Sequence, residues 1–123
     1  MAVDERIAAE AAVVTAVLDY FEGWFDGDAG RMERALHPDL VKRSPDKDGR
    51  TFDETTAAWM IAATARGVGR ERDPGDRRIV VEVEDVYGAI ANATVTSAVY
   101  REYVQLVRTP EGWKIANTLW EWT

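Results

Sequence analysis

The repeat of the apolar residues changes once along the chain, from helical spacing to strand spacing. Near the N-terminus, Ile7, Val14, Leu18, Phe21 and Phe25 recur at the three- and four-residue steps, or their sum, of one helix face. After residue 78 the segments IVVEVEDV, IANATVTSAVYREYVQLV and WKIANTLWEW alternate with a period of two, which is typical of half-buried strands. Helices followed by three or four long antiparallel strands predict an α+β fold.

The first part of the chain carries signals for three helices and one short strand. We expect a long helix over residues 4–25 and a second, short helix over 28–36, with a strand over 39–44. Thr51 followed by Glu54 matches a capping box and predicts a third helix that stops near Gly67. The charged, glycine-rich stretch from there to residue 78 is interpreted as a loop.

Composition narrows the class of protein. A chain of 123 residues with 46% hydrophobic residues predicts one packed domain over 1–123. The formal charge of −7 disfavours nucleic acid and anionic membranes as partners. The chain has no cysteine, and its first residues, MAVDERIAAE, lack the basic and apolar parts of a signal peptide. We therefore expect a cytoplasmic protein without a membrane span.

Three segments carry a resemblance to a known superfamily. They are YFEGWFDGD at the end of the first helix, LHPD after the second, and the last hairpin YVQLVRTPEGWKIANTLWEW. Together they resemble the nuclear transport factor 2-like (NTF2-like) superfamily, most of all its SnoaL-like proteins and the branch labelled "putative lumazine-binding". The resemblance implies a cone-shaped fold, in which a curved, mostly antiparallel sheet wraps a long N-terminal helix with two further helices. It also implies a pocket at the wide end and a homodimer.

The steroid isomerases of this superfamily offer a test for catalysis. They enolise a ketone with a carboxylate base opposite a tyrosine and a protonated carboxylic acid. By the resemblance, Tyr20 falls on the position of the tyrosine, Glu102 on that of the protonated acid, and Ser44 on that of the base. Tyr20 and Glu102 are therefore the candidate catalytic residues. Because a serine hydroxyl cannot remove a carbon-bound proton without a base of its own, the isomerase mechanism is disfavoured.

Other residues are candidates for the lining of a ligand pocket. Lys42 shares a strand side with Ser44 by the period of two and is interpreted either as a cationic pocket group or as a solvated lysine. Three interpretations of Glu102 stay open: an acid in the pocket, an ion-pair partner of Lys42 or of an arginine, and a solvent-exposed residue at a sheet edge. Asn117 interrupts the apolar face of the last strand and is either a pocket amide or a hydrogen-bonded core amide. Trp24, Trp59 and Met60 line an aromatic pocket with Tyr20, or else belong to the core.

The single histidine invites a catalytic interpretation that we do not favour. His37 stands before Pro38 at the end of the second helix, where an imidazole can bind free helix carbonyls. One histidine without cysteine also makes a metal site a poor prediction, and no cofactor is expected.

Three functions stay open at this stage. The first is a pocket that binds a small hydrophobic or flat ring ligand. The second is an isomerase, cyclase or dehydratase that acts on a polycyclic ketone. The third is a dimerisation module whose own aromatic side chains fill the pocket. We expect a homodimer joined through the outer faces of the sheets, where Trp120 and Trp122 would lie beside Tyr103 and Gln105.

Overall fold

A 24-residue helix, α1 (Val3–Asp26), lies across one face of a curved six-stranded sheet. The structure is a computed structural model and describes all 123 residues. The remaining helices are α2 (Ala29–Ala35), α3 (Ala57–Ala65) and the one-turn α4 (Val68–Glu71). The strands are β1 (Leu36–Pro45), β2 (Phe52–Thr55), β3 (Val80–Tyr87), β4 (Ile90–Thr96), β5 (Tyr100–Thr109) and β6 (Gly112–Trp122).

The sheet has the strand order β2-β1-β6-β5-β4-β3. Every neighbouring pair is antiparallel except β1 with β6, which is parallel. The three consecutive hairpin-linked pairs from β3 to β6 form the long antiparallel part that the period of two predicts. The predicted α+β fold, with a long helix inside a curved and mostly antiparallel sheet, is confirmed, and α4 is one short helix more than expected.

The core lies between α1 and the concave face of the sheet. Val13, Val17 and Phe25 are almost completely buried on the helix, and Val104 and Ile115 are equally buried on β5 and β6. Burying a valine, isoleucine or phenylalanine side chain stabilises a fold by about 1.5 to 3 kcal/mol. The apolar side chains on one face of α1 and those on the inner face of the sheet therefore pack into one apolar layer.

Two glycines fix the way in which the helices join. Gly27 ends α1 in the left-handed region, with φ 69° and ψ 28°, as a closing glycine does. Gly69 in α4 lies directly against α1, where a Cβ atom would overlap the carbonyl of Trp24. The missing side chain at Gly69 thus allows α4 to sit on the end of α1, next to the wide end of the sheet.

Two sequence predictions about element bounds were wrong. Thr51 does not cap a helix, because its hydroxyl donates to Asp46 Oδ2 at 2.7 Å and its amide to Asp48 Oδ1 at 3.1 Å. The residues that follow pair with β1 as the edge strand β2. The N-cap of α3 is Thr56, whose hydroxyl accepts from the amide of Trp59 at 3.1 Å. The first strand also begins earlier than predicted, at Leu36.

A bulge in β6 reverses the side-chain pattern of that strand. Leu106 pairs with Ile115 and Gln105 pairs with Asn117, so Ala116 has no partner on β5. Trp113 and Ile115 face the core before the bulge, and Thr118 and Trp120 face inward after it. An unpaired residue shifts the alternation by one place. The odd-numbered residues of β6 therefore point inward before Ala116, and the even-numbered residues point inward after it.

Candidate functional site

The wide end of the sheet encloses a cavity of about 300 Å³. Its deepest lining residues are buried and its outer ones are exposed. The lining comes from α1, β1, the β1–β2 turn, β2, α3, β5, β6 and the residue after α4: Tyr20, Phe21, Trp24, Lys42, Ser44, Pro45, Asp46, Lys47, Asp53, Thr55, Trp59, Met60, Arg72, Tyr100, Glu102, Trp120 and Trp122. A volume of this size lies at the lower end of small-molecule pockets.

A cluster of three polar side chains lies at the buried end of the cavity. The Tyr20 hydroxyl lies 3.1 and 3.0 Å from the two carboxylate oxygens of Glu102 and donates to that group. Lys42 Nζ donates to the Tyr20 hydroxyl and lies 3.2 Å from Glu102 Oε1. The exposed fractions of these residues are 2%, 7% and 3% in the order Tyr20, Lys42, Glu102. We call Tyr20, Lys42 and Glu102 the polar cluster.

Local geometry brings the cluster together from three distant parts of the chain. Tyr20 lies on the sheet-facing side of α1, and Lys42 and Ser44 point inward from β1 because side chains alternate along a strand. Glu102 points inward from β5 between the buried Tyr100 and Val104. Each of the three would be an unpaired polar group in the core without the other two. Such burial is tolerated because they are mutually hydrogen bonded.

Burial shifts two of the proton equilibria. Burial and the neighbouring Glu102 charge raise the pKa of the Tyr20 hydroxyl well above its usual value, so it stays protonated in the folded protein. Burial lowers the pKa of Lys42, against the opposing effect of the Glu102 carboxylate. Both shifts follow from the cost of placing a charge in an apolar environment. Tyr20 is thus held as a donor, and Lys42 is an amine whose positive charge is costly to keep.

Aromatic side chains form the walls above the cluster. The indole nitrogen of Trp24 donates to the Tyr100 hydroxyl at 3.0 Å. The Tyr100 ring centroid lies 5.5 Å from that of Trp120 and 5.2 Å from that of Trp122. Lys42 Nζ lies 5.1 Å from the Trp120 ring and 5.0 Å from the Tyr20 ring, within the range of cation–π attraction. A flat molecule can therefore stack on rings while it reaches the amine.

Charged groups surround the open end. Lys47 and Asp46 lie in the β1–β2 turn, Asp53 lies on β2, and Arg72 follows α4. All four residues are exposed. The Arg72 guanidinium lies 5.3 Å from the Trp122 ring and 6.0 Å from the Trp24 ring. The rim thus carries two cations and two carboxylates, with one cation stacked over the aromatic wall.

Seven of the eight residues expected in the pocket line this cavity: Tyr20, Trp24, Lys42, Ser44, Trp59, Met60 and Glu102. The placement of Asn117 was wrong. Its amide lies on the outer face of the sheet and donates to Gln105 Oε1 at 3.1 Å. The reason is the Ala116 bulge, which turns Asn117 outward where uninterrupted alternation would have turned it inward.

Other details of the expected site also differ. Trp59 was expected to face the interior, yet it is 47% exposed and covers the cavity from α3. Glu102 is the partner of Lys42, which is one of the alternatives left open by the sequence, and the Tyr20 hydroxyl donates to it. The tyrosine and the glutamate are therefore bonded to one another.

His37 does not line the cavity. Its Nδ1 atom accepts from the amide of Asp39 at 3.0 Å, so its local partner is strand backbone and not a helix carbonyl. The carbonyl of Arg34 near the end of α2 instead accepts from Lys114 Nζ at 2.8 Å. The expected contact of His37 with the helix end was wrong because β1 begins directly after α2.

The sequence interpretation missed ten of the 17 lining residues, namely Phe21, Pro45, Asp46, Lys47, Asp53, Thr55, Arg72, Tyr100, Trp120 and Trp122. Tyr100 had a usable signal, because it shares the strand face of Glu102 at a spacing of two. Trp120 and Trp122 were assigned to the outer face, and the bulge reverses that assignment. Arg72 had no signal, since its position depends on the close approach of Gly69 to Trp24.

No three or more histidine, aspartate or glutamate side chains converge in a way that could hold a metal ion. None of the helices is long and apolar enough to cross a membrane.

The chain shares its fold with solved structures of NTF2-like proteins. It is a member of the family described as "Putative lumazine-binding", whose model matches residues 8–121. The chain is similar to an NTF2-like protein of unknown function from Silicibacter pomeroyi DSS-3, at 17% identity and a TM-score of 0.71, with all of both chains covered.

Two other solved structures share the fold. An NTF2-like protein of unknown function from Shewanella baltica OS155 has 12% identity and a TM-score of 0.73, with 95% of each chain covered. An NTF2-like protein with a cystatin-like fold from Novosphingobium aromaticivorans has 18% identity and a TM-score of 0.66, with 93% of this chain and 81% of that chain covered. No curated protein matches the chain. At these identities the solved structures establish the fold alone.

Proposed function

We propose that the protein binds a flat small molecule in the cavity at the wide end of the sheet. The observation that carries the proposal is the open volume of about 300 Å³, with Trp24, Trp59, Trp120 and Trp122 among its lining residues. Rings of this kind stack on a planar ligand, and the buried polar groups fix its orientation. The open volume argues against the alternative in which aromatic side chains fill the pocket.

The polar cluster supports a ligand that carries an acceptor oxygen. Lys42 has three N–H groups, and its two protein partners are Tyr20 and Glu102. The third N–H group is free to donate to a ligand, and Ser44 lines the cavity two residues farther along the same strand. A planar heterocycle with ring carbonyl groups, such as lumazine, fits these requirements, and the family description makes it the first compound to test.

Tryptophan fluorescence gives a direct test. Four of the five tryptophans line the cavity, and the fifth, Trp113, is buried elsewhere. A Trp113→Phe variant therefore reports almost entirely from the cavity. We expect saturable quenching by lumazine or by another flat two- or three-ring compound, and weaker quenching when Trp120 is also changed to Phe. N-acetyltryptophanamide is the control for collisional quenching. If no compound of such a panel gives saturable quenching, the proposal fails.

A second candidate is catalysis on a ketone, which the buried contact between Tyr20 and Glu102 favours. The Tyr20 hydroxyl can donate to a substrate oxygen, but by the resemblance Ser44 falls on the position where a carboxylate base is required. We expect little or no isomerisation of a β,γ-unsaturated ketone by the wild-type protein. Ser44→Asp is the substitution that should create some activity, with Ser44→Asn as its neutral control. Strong wild-type activity would support the enzyme and would identify a base other than residue 44.

We also propose a homodimer, through a patch that differs from the one expected from the sequence. Trp120 and Trp122 line the cavity, so they do not form the patch. The outer face of the sheet instead carries Val41, Tyr103 and Leu119, which are 40%, 55% and 45% exposed. Apolar side chains grouped in this way are typical of an interface. An isologous dimer would cover the patch with its own copy.

A further inference from the structure

We propose that Lys42 captures an aldehyde carried on a flat ring and forms an imine with it inside the cavity. The proposal rests on the proposed function, because the ring must first bind in the cavity. Lys42 is the only one of the three lysines that is buried and that lies within hydrogen-bonding distance of both a carboxylate and a phenol. Lysine amines in apolar pockets are the usual partners of carbonyl groups in such reactions.

The surroundings supply what the reaction needs. The amine must be neutral to attack, and burial lowers the pKa of Lys42, so that less free energy is needed to remove its proton. Glu102 Oε1, 3.2 Å from Nζ, is placed to accept that proton. The Tyr20 hydroxyl, which lies beside the same nitrogen and stays protonated, can donate to the carbonyl oxygen.

The step balances without any further reactant. The Lys42 ammonium gives one proton to the Glu102 carboxylate, and the neutral nitrogen then forms a bond to the carbonyl carbon. The carbonyl oxygen takes a proton from the attacking nitrogen through the Tyr20 hydroxyl, which gives a neutral carbinolamine. The Glu102 carboxyl then returns its proton to the carbinolamine hydroxyl, which leaves as water while the carbon–nitrogen double bond forms. The product is a protonated imine beside the Glu102 carboxylate and one molecule of water. Its positive charge remains near the Trp120 ring, whose centroid lies 5.1 Å from Nζ, and this contact favours the charged form.

The other two lysines are internal controls. Lys47 lies exposed at the rim of the same cavity, and Lys114 lies at the far side of the molecule, where its amine donates to the Arg34 carbonyl at 2.8 Å. Neither lysine has an ion pair with a carboxylate. Selective reaction at Lys42 would therefore reflect its position in the polar cluster and not simple access to the reagent.

The experiment uses 2-naphthaldehyde with sodium cyanoborohydride near neutral pH, followed by peptide mapping. The alcohol 2-naphthylmethanol has the same ring and cannot form an imine. We expect calorimetric binding of the alcohol, more label on Lys42 than on Lys47 and Lys114 together, and protection of Lys42 alone by excess alcohol. In urea the preference for Lys42 should disappear. Lys42→Arg, which keeps the charge but cannot form the imine, should lose the selective label.

The two proposals fail in different ways. If the alcohol binds but the label falls mainly on Lys47 and Lys114, imine formation at Lys42 is overturned and the binding function stands. If the alcohol does not bind and Lys42 is not labelled, a flat two-ring ligand is excluded and both proposals fail for that ligand class. Because the distribution over three lysines is measured in the wild-type protein, the result does not depend on whether Lys42→Arg folds.

Discussion

Lys42 and Glu102 form an ion pair of 3.2 Å inside the protein, with only 8% and 3% of their side chains exposed. The partners are 60 residues apart in sequence and lie on β1 and β5, which are separated by β6 in the sheet. Removing two charges from water costs several kcal/mol per ion, and only a good contact offsets this cost. The pair therefore links the stability of the fold to the chemistry of the cavity.

Replacing only one residue of this pair should lower the free energy of unfolding far more than replacing both residues. Lys42→Met leaves a buried carboxylate and should lower the free energy of unfolding by about 3 to 5 kcal/mol, whereas Lys42→Met with Glu102→Leu should recover much of that loss. Urea denaturation of the four members of the cycle measures the difference. Equal losses in the single and double variants would contradict the pairing.

The neighbouring pair Arg43 and Glu54 provides a matched control. Arg43 lies on the same strand but points outward, 3.0 Å from Glu54, with side chains that are 45% and 61% exposed. Surface pairs of this kind contribute about 0 to 1 kcal/mol. Arg43→Met should therefore change the unfolding free energy much less than Lys42→Met does.

Tyr20 should ionise only when the protein unfolds at high pH. Its pKa is raised in the folded state, so its contribution to stability is present below about pH 10, the usual value for tyrosine, and is lost as the pH rises through the raised value. Tyr20→Phe should lessen the alkaline loss of stability, while Tyr87→Phe, which removes a phenol that is 78% exposed, controls for the loss of one tyrosine. As the pH of the wild-type protein is raised, the tyrosinate absorbance of Tyr20 should increase over the same pH range in which the circular dichroism of the folded state is lost. A Tyr20 ionisation that precedes unfolding would contradict the buried hydrogen bonds.

His37 should matter for stability more than for binding. His37→Ala removes one acceptor for the amide of Asp39 and should lower the unfolding free energy by about 1 kcal/mol. Affinity for a ligand in the cavity should be unchanged, because His37 is not a lining residue. Thermal melting and the fluorescence titration check the two expectations separately. A large loss of affinity at unchanged stability would make His37 part of the site after all.

The dimer should depend on Leu119. Light scattering at tens of micromolar should give about twice the chain mass of 13.8 kDa, and Leu119→Asp should shift the protein toward the monomer, because a carboxylate in an apolar interface must be desolvated. Tyr87→Ser changes an exposed ring on the β3–β4 hairpin, away from the patch, and should leave the mass unchanged. A monomeric wild-type protein at that concentration would rule the dimer out.

The α+β fold could be predicted because it depends on short-range periods. Tyr20, Ser44 and Glu102 were expected in the pocket from the resemblance, and Lys42 from its spacing of two from Ser44, and all four line the cavity. The pairing of Lys42 with Glu102 depends on the sheet order, for which no local pattern exists. The helix start at Thr56 was missed because Thr51 and Glu54 match a capping box, whereas the residue three places after Thr56 is Trp59. Only the contacts of Thr51 with Asp46 and Asp48 exclude the earlier start.

The unpaired Ala116 has a practical consequence for the comparison of relatives. The alternation of inward and outward side chains along β6 holds on each side of Ala116 but not across it. A one-residue gap placed on the wrong side of Ala116 therefore aligns the inward position of Trp120 with the outward position of Leu119. At 17% identity, few identical residues are present to keep the register of such an alignment. A homologue that has the same tryptophans would be read as lacking them if it were aligned in that way. Superposed backbones, and not residue columns, are therefore the reliable way to trace which members of the family keep an aromatic cavity.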